Sequence, residues 1–294
     1  MPPLPADSIH ARACKLKCEK ILTRPSEVET FGIDESWIEL TGSPLLKERT
    51  PHEIADEIRN TVKSEVGLTV SIGISFNKIF AKLGSDMKKP DAVTEIGRDT
   101  FRDQVWPLPV SDLLYVGRAT AEKLGRYCIR TIGDLANTER DILRSLLGIN
   151  GEKIWAYANG LDASRVMPCD YTPPIKSIGH GITCTADLVS ESEVRGVFLE
   201  LSQDIGLKLR KQGLAANGVR ITVRDNTLSH RQYQCKLPFP TQSYLEIYDA
   251  GIDMFHRRYS WSNNIRSLTI SAIDLISADT PVQLDLWTDM SKHK

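Results

Sequence analysis

The chain has 294 residues, of which 41% are hydrophobic, and its formal net charge is -1. This length predicts two or three domains, and the near-neutral charge excludes a uniformly basic nucleic-acid-binding protein, so any such binding must come from local patches. Six cysteines without a Cys-x-x-Cys pair exclude a disulfide framework, and no apolar run approaches the roughly 20 residues of a membrane span, so we expect a cytoplasmic protein.

Residues 1–97 have the pattern of an α/β unit. The predicted elements are a helix at 10–24, a strand pair around 34–35, a helix from Pro51, a strand at 69–74, a helix from Phe76 and a strand at 93–96. Thr50 and Glu53 bracket Pro51 as in a capping box, and the apolar residues Ile54, Ile58 and Val62 follow at four-residue spacing. This spacing is typical of an amphipathic helix that packs on a sheet.

The strand pair contains two adjacent carboxylates, Asp34 and Glu35, within FGIDESWIELTG (31–42). Unpaired charges in a half-buried strand are strongly unfavourable unless a cation or a proton transfer occupies them. The acid pair therefore predicts a metal site.

A lysine, Lys78, lies in the first turn of the helix that Ser75 is predicted to cap. The free amides and the macrodipole already make that end positive, so an anion would relieve the conflict and the pattern predicts a phosphate site. Lys82, Lys88 and Lys89 extend the positive surface, although a solvated lysine face is the alternative. Together with the acid pair, a phosphate-binding lysine indicates nucleotidyl transfer assisted by two metal ions.

Residues 98–168 predict a small all-helical domain in which short helices alternate with glycine turns. The segment 112–124 resembles a helix-hairpin-helix, whose turn amides, at Val116, Gly117 and Arg118, would hold a DNA backbone phosphate without reading sequence. Tyr115 stands where the usual hairpin has its first glycine. An ordinary helical turn is the alternative.

A linker at 169–176, with two consecutive prolines, precedes a second pattern at 177–278 whose order βαββαβ predicts a four-stranded sheet with both helices on one face. Basic residues are concentrated between Gln203 and Lys236, and they include Arg220, Arg224 and Arg231. Arg220 and Arg224 are an even number of residues apart and so share one sheet face. A basic sheet face suits contact with a DNA backbone, and solvated surface is the alternative.

The tail, 279–294, contains Gln283, Leu284, Leu286 and Trp287 in an otherwise polar segment. A glutamine followed by apolar residues and an aromatic anchor is typical of a peptide that binds a hydrophobic groove. An incidental amphipathic tail is the alternative.

Taken together, these segments resemble the Y-family translesion DNA polymerases of the bacterial polymerase IV type. FGIDESWIELTG resembles the Ser-Ile-Asp-Glu palm motif, with Gly32 in place of serine, and SIGISFNKIFAKLGSDMKKPD (71–91) resembles the next palm motif. LGINGEKIWAYANGLD resembles the end of the thumb, KSIGHGIT (176–183) the start of the little finger, and QLDLW a sliding-clamp peptide.

The resemblance implies a fold of α/β and α+β domains: a partial palm at 1–97, a thumb at 98–168, a linker at 169–176, a little finger at 177–278 and a clamp-binding tail at 279–294. It implies a monomeric DNA-directed DNA polymerase with primer-template DNA, deoxynucleoside triphosphates and a sliding clamp as partners, and no membrane. The implied roles are Mg²⁺ binding for Asp34 and Glu35, triphosphate contact for Lys78, and DNA contact for Lys176, Ser177, Gly179, Thr183, Arg220, Arg224 and Arg231.

One part of the family pattern is not found in this sequence. The first palm strand with a third metal-binding aspartate, and the fingers that follow it, have no counterpart, since Asp7 lies in a proline-rich segment. We therefore expect a polymerase that lacks its N-terminus, with one metal ligand missing. The alternatives are a non-catalytic DNA- and clamp-binding remnant, and a helix-hairpin-helix repair accessory protein without polymerase ancestry.

Overall fold

The computed structural model describes residues 28–32 and 34–281. The chain divides into two compact units, Met1–Thr172 and Pro173–Lys294. The predicted helix at 10–24 and the predicted clamp peptide at 283–287 lie outside the described residues.

The first unit is mixed α/β at its start and helical afterwards. Its elements in chain order are β1 (Val28–Phe31), β2 (Glu35–Ile38), a 3-10 helix (Pro44–Lys47), α1 (Pro51–Val66), β3 (Ile72–Ser75), α2 (Lys78–Met87), β4 (Val93–Ile96), α3 (Phe101–Val105), a 3-10 helix (Val110–Asp112), α4 (Arg118–Gly125), α5 (Ile132–Asn137), α6 (Arg140–Leu147) and α7 (Ile149–Ala158).

Helix α1 begins as the sequence predicts. The Thr50 hydroxyl accepts from the Glu53 amide at 3.2 Å, and the Glu53 carboxylate accepts from the Thr50 amide at 2.7 Å, which completes the capping box. Ile54, Ile58 and Val62 are buried, and they form a small core with Val28 of β1. The predicted amphipathic helix is therefore confirmed, and its apolar stripe covers one side of the β1–β2 hairpin.

Strands β3 and β4 pair in parallel, with Ile72 opposite Val93, and α2 makes the crossover between them. The helix lies very close to β3 at Gly73, where a Cβ atom would lie 1.9 Å from the carbonyl oxygen of Ala81. Only glycine fits at such a backbone contact. On its other side α2 buries Phe80 and Leu83 in the core of the helical segment. Because only two residues separate the end of β3 from the start of α2, the N-terminus of α2 lies at the carboxyl end of β3.

The second unit has the predicted order βαββαβ. Its elements are β5 (Ser177–Leu188), α8 (Glu191–Gln212), β6 (Leu214–Asp225), β7 (His230–Thr241), α9 (Tyr244–Arg258) and β8 (Ile265–Ser277). The strands form one antiparallel sheet in the order β5-β8-β6-β7. Its core lies between the sheet and the two helices and includes Phe198, Ile221, Ile247 and Ile270. Both helices therefore cover the same face, and the opposite face is open.

None of the helices in the described part of the chain is long and apolar enough to span a membrane.

Gly73→Ala should destabilise the first unit by about 1 to 3 kcal/mol, because the added methyl group collides with backbone atoms that cannot rotate away. Urea unfolding followed by circular dichroism measures this change. Gly125→Ala is the matched control, since a Cβ at this helical position meets nothing within 4 Å. An unchanged midpoint in Gly73→Ala would contradict the close packing of α2 on β3.

Candidate functional site

Asn77, not Ser75, caps α2. The Asn77 side-chain oxygen accepts from the Phe80 amide at 2.8 Å, and Lys78 is the first residue of the helix. The prediction of Ser75 as the cap is wrong because Ser75 is the last residue of β3 and donates its hydroxyl to the Ile96 carbonyl at 2.8 Å. The predicted position of Lys78 in the first turn is confirmed.

The ammonium of Lys78 already has an anionic partner. Its Nζ atom lies 2.7 Å from both carboxylate oxygens of Glu29 in β1 and 4.3 Å from the centre of the Trp37 ring. The Lys78 side chain is only 13% exposed and that of Glu29 20%. The electrostatic conflict that the sequence indicates at this helix end is therefore relieved by an internal carboxylate.

Glu29 and Trp37 also hold neighbouring backbone. The Met167 amide donates to Glu29 at 2.8 Å, and the Trp37 indole N–H donates to the Lys78 carbonyl at 3.0 Å. Glu29 and Trp37 are opposite each other in the antiparallel hairpin, so one face of β1–β2 presents both to α2.

The predicted acid pair is divided by the hairpin turn. Phe31 pairs with Glu35, and Gly32, with φ +72°, allows the chain to reverse, so Asp34 lies exposed in the turn. The expectation that both carboxylates are half-buried in a strand is wrong for Asp34. The apolar residues of the motif lie on both sides of a turn, so they do not form one continuous strand, and Asp34 precedes β2. Glu35 is the first residue of β2 and is partly buried.

Glu35 is paired with a second lysine of α2. The Lys82 Nζ atom lies 2.8 Å from Glu35 and 2.7 Å from Asp86. Burial opposes the charged form of Lys82, but the hydrogen bonds to Asp86 and Glu35 outweigh it, so the pKa of this ammonium is raised. Lys78 and Lys82 are four residues apart on one helix face, and their partners Glu29 and Glu35 share one hairpin face.

The described residues do not form a complete metal site. Carboxylate oxygens are the ligands that Mg²⁺ prefers, so Asp34 and Glu35 have suitable chemistry. However, within residues 28–32 and 34–281 no group of three or more His, Cys, Asp or Glu side chains is placed to hold a metal ion. The Glu35 carboxylate is also directed to Lys82.

The hairpin at Val116, Gly117 and Arg118 differs from the predicted helix-hairpin-helix on its first side, where the helix is only the 3-10 turn Val110–Asp112. Tyr115 adopts the left-handed conformation with φ +71°, in place of the usual glycine. Gly117 caps α4, and the Arg118 side chain is 93% exposed. Tyr115 therefore has the backbone conformation that glycine usually supplies at this position.

The open face of the second unit carries small polar and basic side chains in three cross-strand rows. The rows, from β5 across β8 and β6 to β7, are Gly179–Ser271–Arg220–Gln234, Gly181–Thr269–Thr222–Gln232 and Thr183–Ser267–Arg224–His230. We call these twelve residues the open face. The predicted sharing of one face by Arg220 and Arg224 is confirmed.

The charges on the open face are available to a ligand. The Arg220 guanidinium donates to the Gln234 amide oxygen at 3.2 Å and that of Arg224 to the Leu228 carbonyl at 3.2 Å, and both acceptors are neutral. The face is flat at β5, because a Cβ at Gly179 would lie 2.4 Å from the Ser271 hydroxyl and one at Gly181 2.2 Å from that of Thr269.

Arg231 does not belong to this face. It is opposite Val223, whose side chain is buried against the helices, so Arg231 extends from the helix-covered side near the start of β7. Its grouping with Arg220 and Arg224 rested on charge density, which ignores the strand register. Lys176 lies just before β5 and Ser177 begins it, and both are exposed.

Glu29 and Trp37 were not predicted as site residues. Their signal in the sequence is their spacing: when the chain reverses between Phe31 and Glu35, residues 29 and 37 lie opposite each other. A hairpin drawn symmetrically about Gly32 and Asp34 would have paired them.

Comparisons with known proteins agree over most of the chain. Residues 3–86 match the impB/mucB/samB family, and residues 175–286 match the C-terminal domain of the same family. The chain is 42% identical over 267 residues to DNA polymerase IV of Acetivibrio thermocellus, covering 91% of this chain and 67% of that protein. It is 36% identical over 246 residues to DNA polymerase IV of Clostridium kluyveri, covering 83% of this chain and 60% of that protein.

A solved Y-family DNA polymerase chimera has a similar mixed α/β fold, with a TM-score of 0.74 at 17% identity, over 91% of this chain and 76% of that one. The chain spans 60 to 67% of the length of the curated relatives named above.

Asp86→Asn should reduce the acid sensitivity of the first unit. Burial opposes the charged form of Asp86, but hydrogen bonds from Lys82 and Lys89 outweigh it, so the pKa of this carboxyl is below its ordinary value of 3.8. The ion pairs therefore contribute stability that is present above pH 3.8 and is lost as the pH falls through the lower folded-state pKa. Urea unfolding at about pH 5 and about pH 3 should show a smaller loss in the variant than in the wild type.

Asp99→Asn is the control for this measurement, because Asp99 is an exposed carboxyl of the same unit. An equal loss of stability in wild type and Asp86→Asn would show that the Asp86 ion pairs do not contribute.

Proposed function

Because the chain belongs to the impB/mucB/samB family, the Y-family DNA polymerases of the DNA polymerase IV type, we propose that it acts in translesion DNA synthesis by template-directed nucleotidyl transfer. The observation that carries the proposal is the combination of the family match with a first-turn lysine, Lys78, at the carboxyl end of β3. Crevices at the carboxyl ends of parallel strands are where open α/β sheets bind ligands.

Lys78 and the N-terminus of α2 bind the triphosphate of the incoming nucleotide in this proposal. An ammonium and free helix amides together attract a polyanion and hold it in place. The close contact of Gly73 with Ala81 and Ser85 packs the middle of α2 directly on β3. The residues thus contribute binding and orientation, which are the main protein contributions to phosphoryl transfer.

Polymerases of this family use divalent metal ions, and we propose Mg²⁺ with Asp34 and Glu35 among its ligands. Within the described residues the donor set is incomplete, so water molecules and substrate phosphates would have to supply further ligands, as is common for Mg²⁺. The exposed position of Asp34 in the turn leaves its carboxylate accessible.

DNA binding is assigned to the open face of the second unit and to the turn at Val116, Gly117 and Arg118. Two guanidiniums with neutral partners, Arg220 and Arg224, attract phosphates, while the glycines at 179 and 181 let a backbone approach the sheet closely. Thr183 belongs to this face, and Lys176 and Ser177 extend the proposed contact at the start of β5. Such contacts position a duplex without reading its sequence.

The further partners and the location of the protein follow from sequence resemblance. The segment Gln283, Leu284, Leu286 and Trp287 is proposed to bind a sliding clamp, and the protein is proposed to act as a monomer in the cytoplasm.

Primer extension tests the proposed activity. We expect the chain to extend a primer with Mg²⁺ and deoxynucleoside triphosphates, and Asp34→Ala to lower the rate at least about a hundredfold, because it removes a carboxylate assigned to the metal. Asp99→Ala, an exposed carboxylate outside the site, should extend at the wild-type rate. DNA binding without any extension would contradict the polymerase proposal and support a non-catalytic DNA-binding protein.

Binding of a fluorescent primer-template duplex at several salt concentrations tests the open face. Arg220→Gln and Arg224→Gln should each weaken binding uniformly across sequences and reduce the slope of log K against log salt by about 1, since one phosphate contact is lost. Arg231→Gln is the matched control, with the same change of charge on the other side of the sheet. An equal effect of all three variants would show that overall charge, not the open face, binds DNA.

A further inference from the structure

The cation assigned to the triphosphate is engaged by an internal anion. Both carboxylate oxygens of Glu29 lie 2.7 Å from the Lys78 Nζ atom, which is the geometry of a strong charge-assisted hydrogen bond. The same Nζ atom also lies 3.5 Å from the Arg165 carbonyl oxygen and 4.3 Å from the Trp37 ring centre. The ammonium is therefore surrounded on three sides by groups of this chain.

A phosphate and Glu29 compete for this ammonium, because its three N–H groups already meet both Glu29 oxygens and the Arg165 carbonyl. The two anions would repel each other, and the partial burial of the site weakens screening by solvent and salt. A polyanion that takes over these donors at Lys78 displaces the Glu29 carboxylate from the Nζ atom. The cost of that withdrawal reduces the apparent affinity for the polyanion.

The contacts of Trp37 differ in kind from those of Glu29. The indole N–H binds the Lys78 carbonyl, and its ring is uncharged, so it holds the helix end and the ammonium without competing with an anion. Trp37 is 8% exposed and packs on Phe31 with ring centres 4.5 Å apart. It can keep its place while Glu29 moves.

We infer that Glu29 occupies the place of a phosphate at Lys78 in the nucleotide-free protein, and that triphosphate binding exchanges one anion for the other. Glu29 is a positioning residue: it acts on the ligand through Lys78. This inference rests on the proposed role of Lys78 in binding the triphosphate. In this inference Glu29 lowers the apparent affinity of Lys78 for anions. A ligand with several negative charges therefore displaces Glu29 more readily than a ligand with one.

The release of Glu29 affects a second segment. The carboxylate that leaves Lys78 is also the acceptor of the Met167 amide, so the exchange alters the contact that joins β1 to the chain after α7. Glutamine at position 29 keeps an oxygen for the Met167 amide but removes the negative charge. Glu29→Gln therefore separates the charge effect from the structural contact.

Isothermal titration of the full chain with inorganic tripolyphosphate tests the inference without requiring catalysis. Glu29→Gln should bind tripolyphosphate about threefold to tenfold more tightly than the wild type, as expected when a competing, partly buried ion pair is removed. Glu29→Asp, which keeps the charge but retracts it from Lys78, should bind more tightly than the wild type and less tightly than Glu29→Gln. Glu48→Gln, an exposed glutamate of the same unit, should bind as the wild type does.

Lys78→Ala and the double variant Glu29→Gln/Lys78→Ala complete the experiment. Both should bind tripolyphosphate much more weakly than the wild type does, because neither retains the ammonium. If Lys78→Ala binds as tightly as the wild type, the proposed role of Lys78 fails, and this inference fails with it. If Lys78→Ala loses binding but Glu29→Gln fails to tighten it, or weakens it, Glu29 has only a structural role and the inference alone is overturned.

Thermal unfolding of each variant confirms that it is folded. If Glu29→Gln does not fold, Glu29→Asp is titrated in its place: its shorter side chain retracts the carboxylate from Lys78, so tighter binding of tripolyphosphate supports the inference. Binding equal to or weaker than that of the wild type overturns it.

Discussion

Two parallel ion pairs between α2 and the β1–β2 hairpin organise the first unit. Lys78 and Lys82, one turn apart on the helix, meet Glu29 and Glu35 on one face of the hairpin. The other hairpin face presents Val28 to the apolar stripe of α1. A four-residue strand pair is too short to be stable alone, so it depends on this charged contact on one side and an apolar contact on the other.

These ion pairs also govern the chemistry of the unit. Lys78, the cation assigned to the nucleotide, is paired with Glu29, so a polyanion must compete with Glu29 for it. Glu35, a carboxylate assigned to the metal, is paired with Lys82, so a divalent ion must compete with Lys82 for it. Partly buried pairs are less screened than surface pairs, which makes such competition consequential. Helix α2, which carries both lysines, packs directly on β3 through the backbone contact at Gly73.

The second unit uses a different design. Its open face has no internal carboxylate among the twelve residues that form it, and its two guanidiniums are held by neutral oxygens. Glycines on β5 make room for Ser271 and Thr269 and leave a level surface. In the first unit, Lys78 and Lys82 are paired with carboxylates, whereas in the second unit the two guanidiniums have only neutral partners. This difference is consistent with the proposals of a small ligand for the first unit and an extended polyanion for the second.

Local pattern was enough to predict the capping box at Thr50, the first-turn position of Lys78, the order βαββαβ and the shared face of Arg220 and Arg224, because caps and strand alternation depend on residues a few positions apart. The sequence motifs were likewise enough to indicate the family, since they are contiguous. Only the tertiary structure determined the partners of Lys78 and Glu35, the exposure of Asp34 and the separation of Arg231 from the open face. These depend on where a turn falls and on strand register, and residues 49 positions apart, such as Glu29 and Lys78, meet only after the chain has packed.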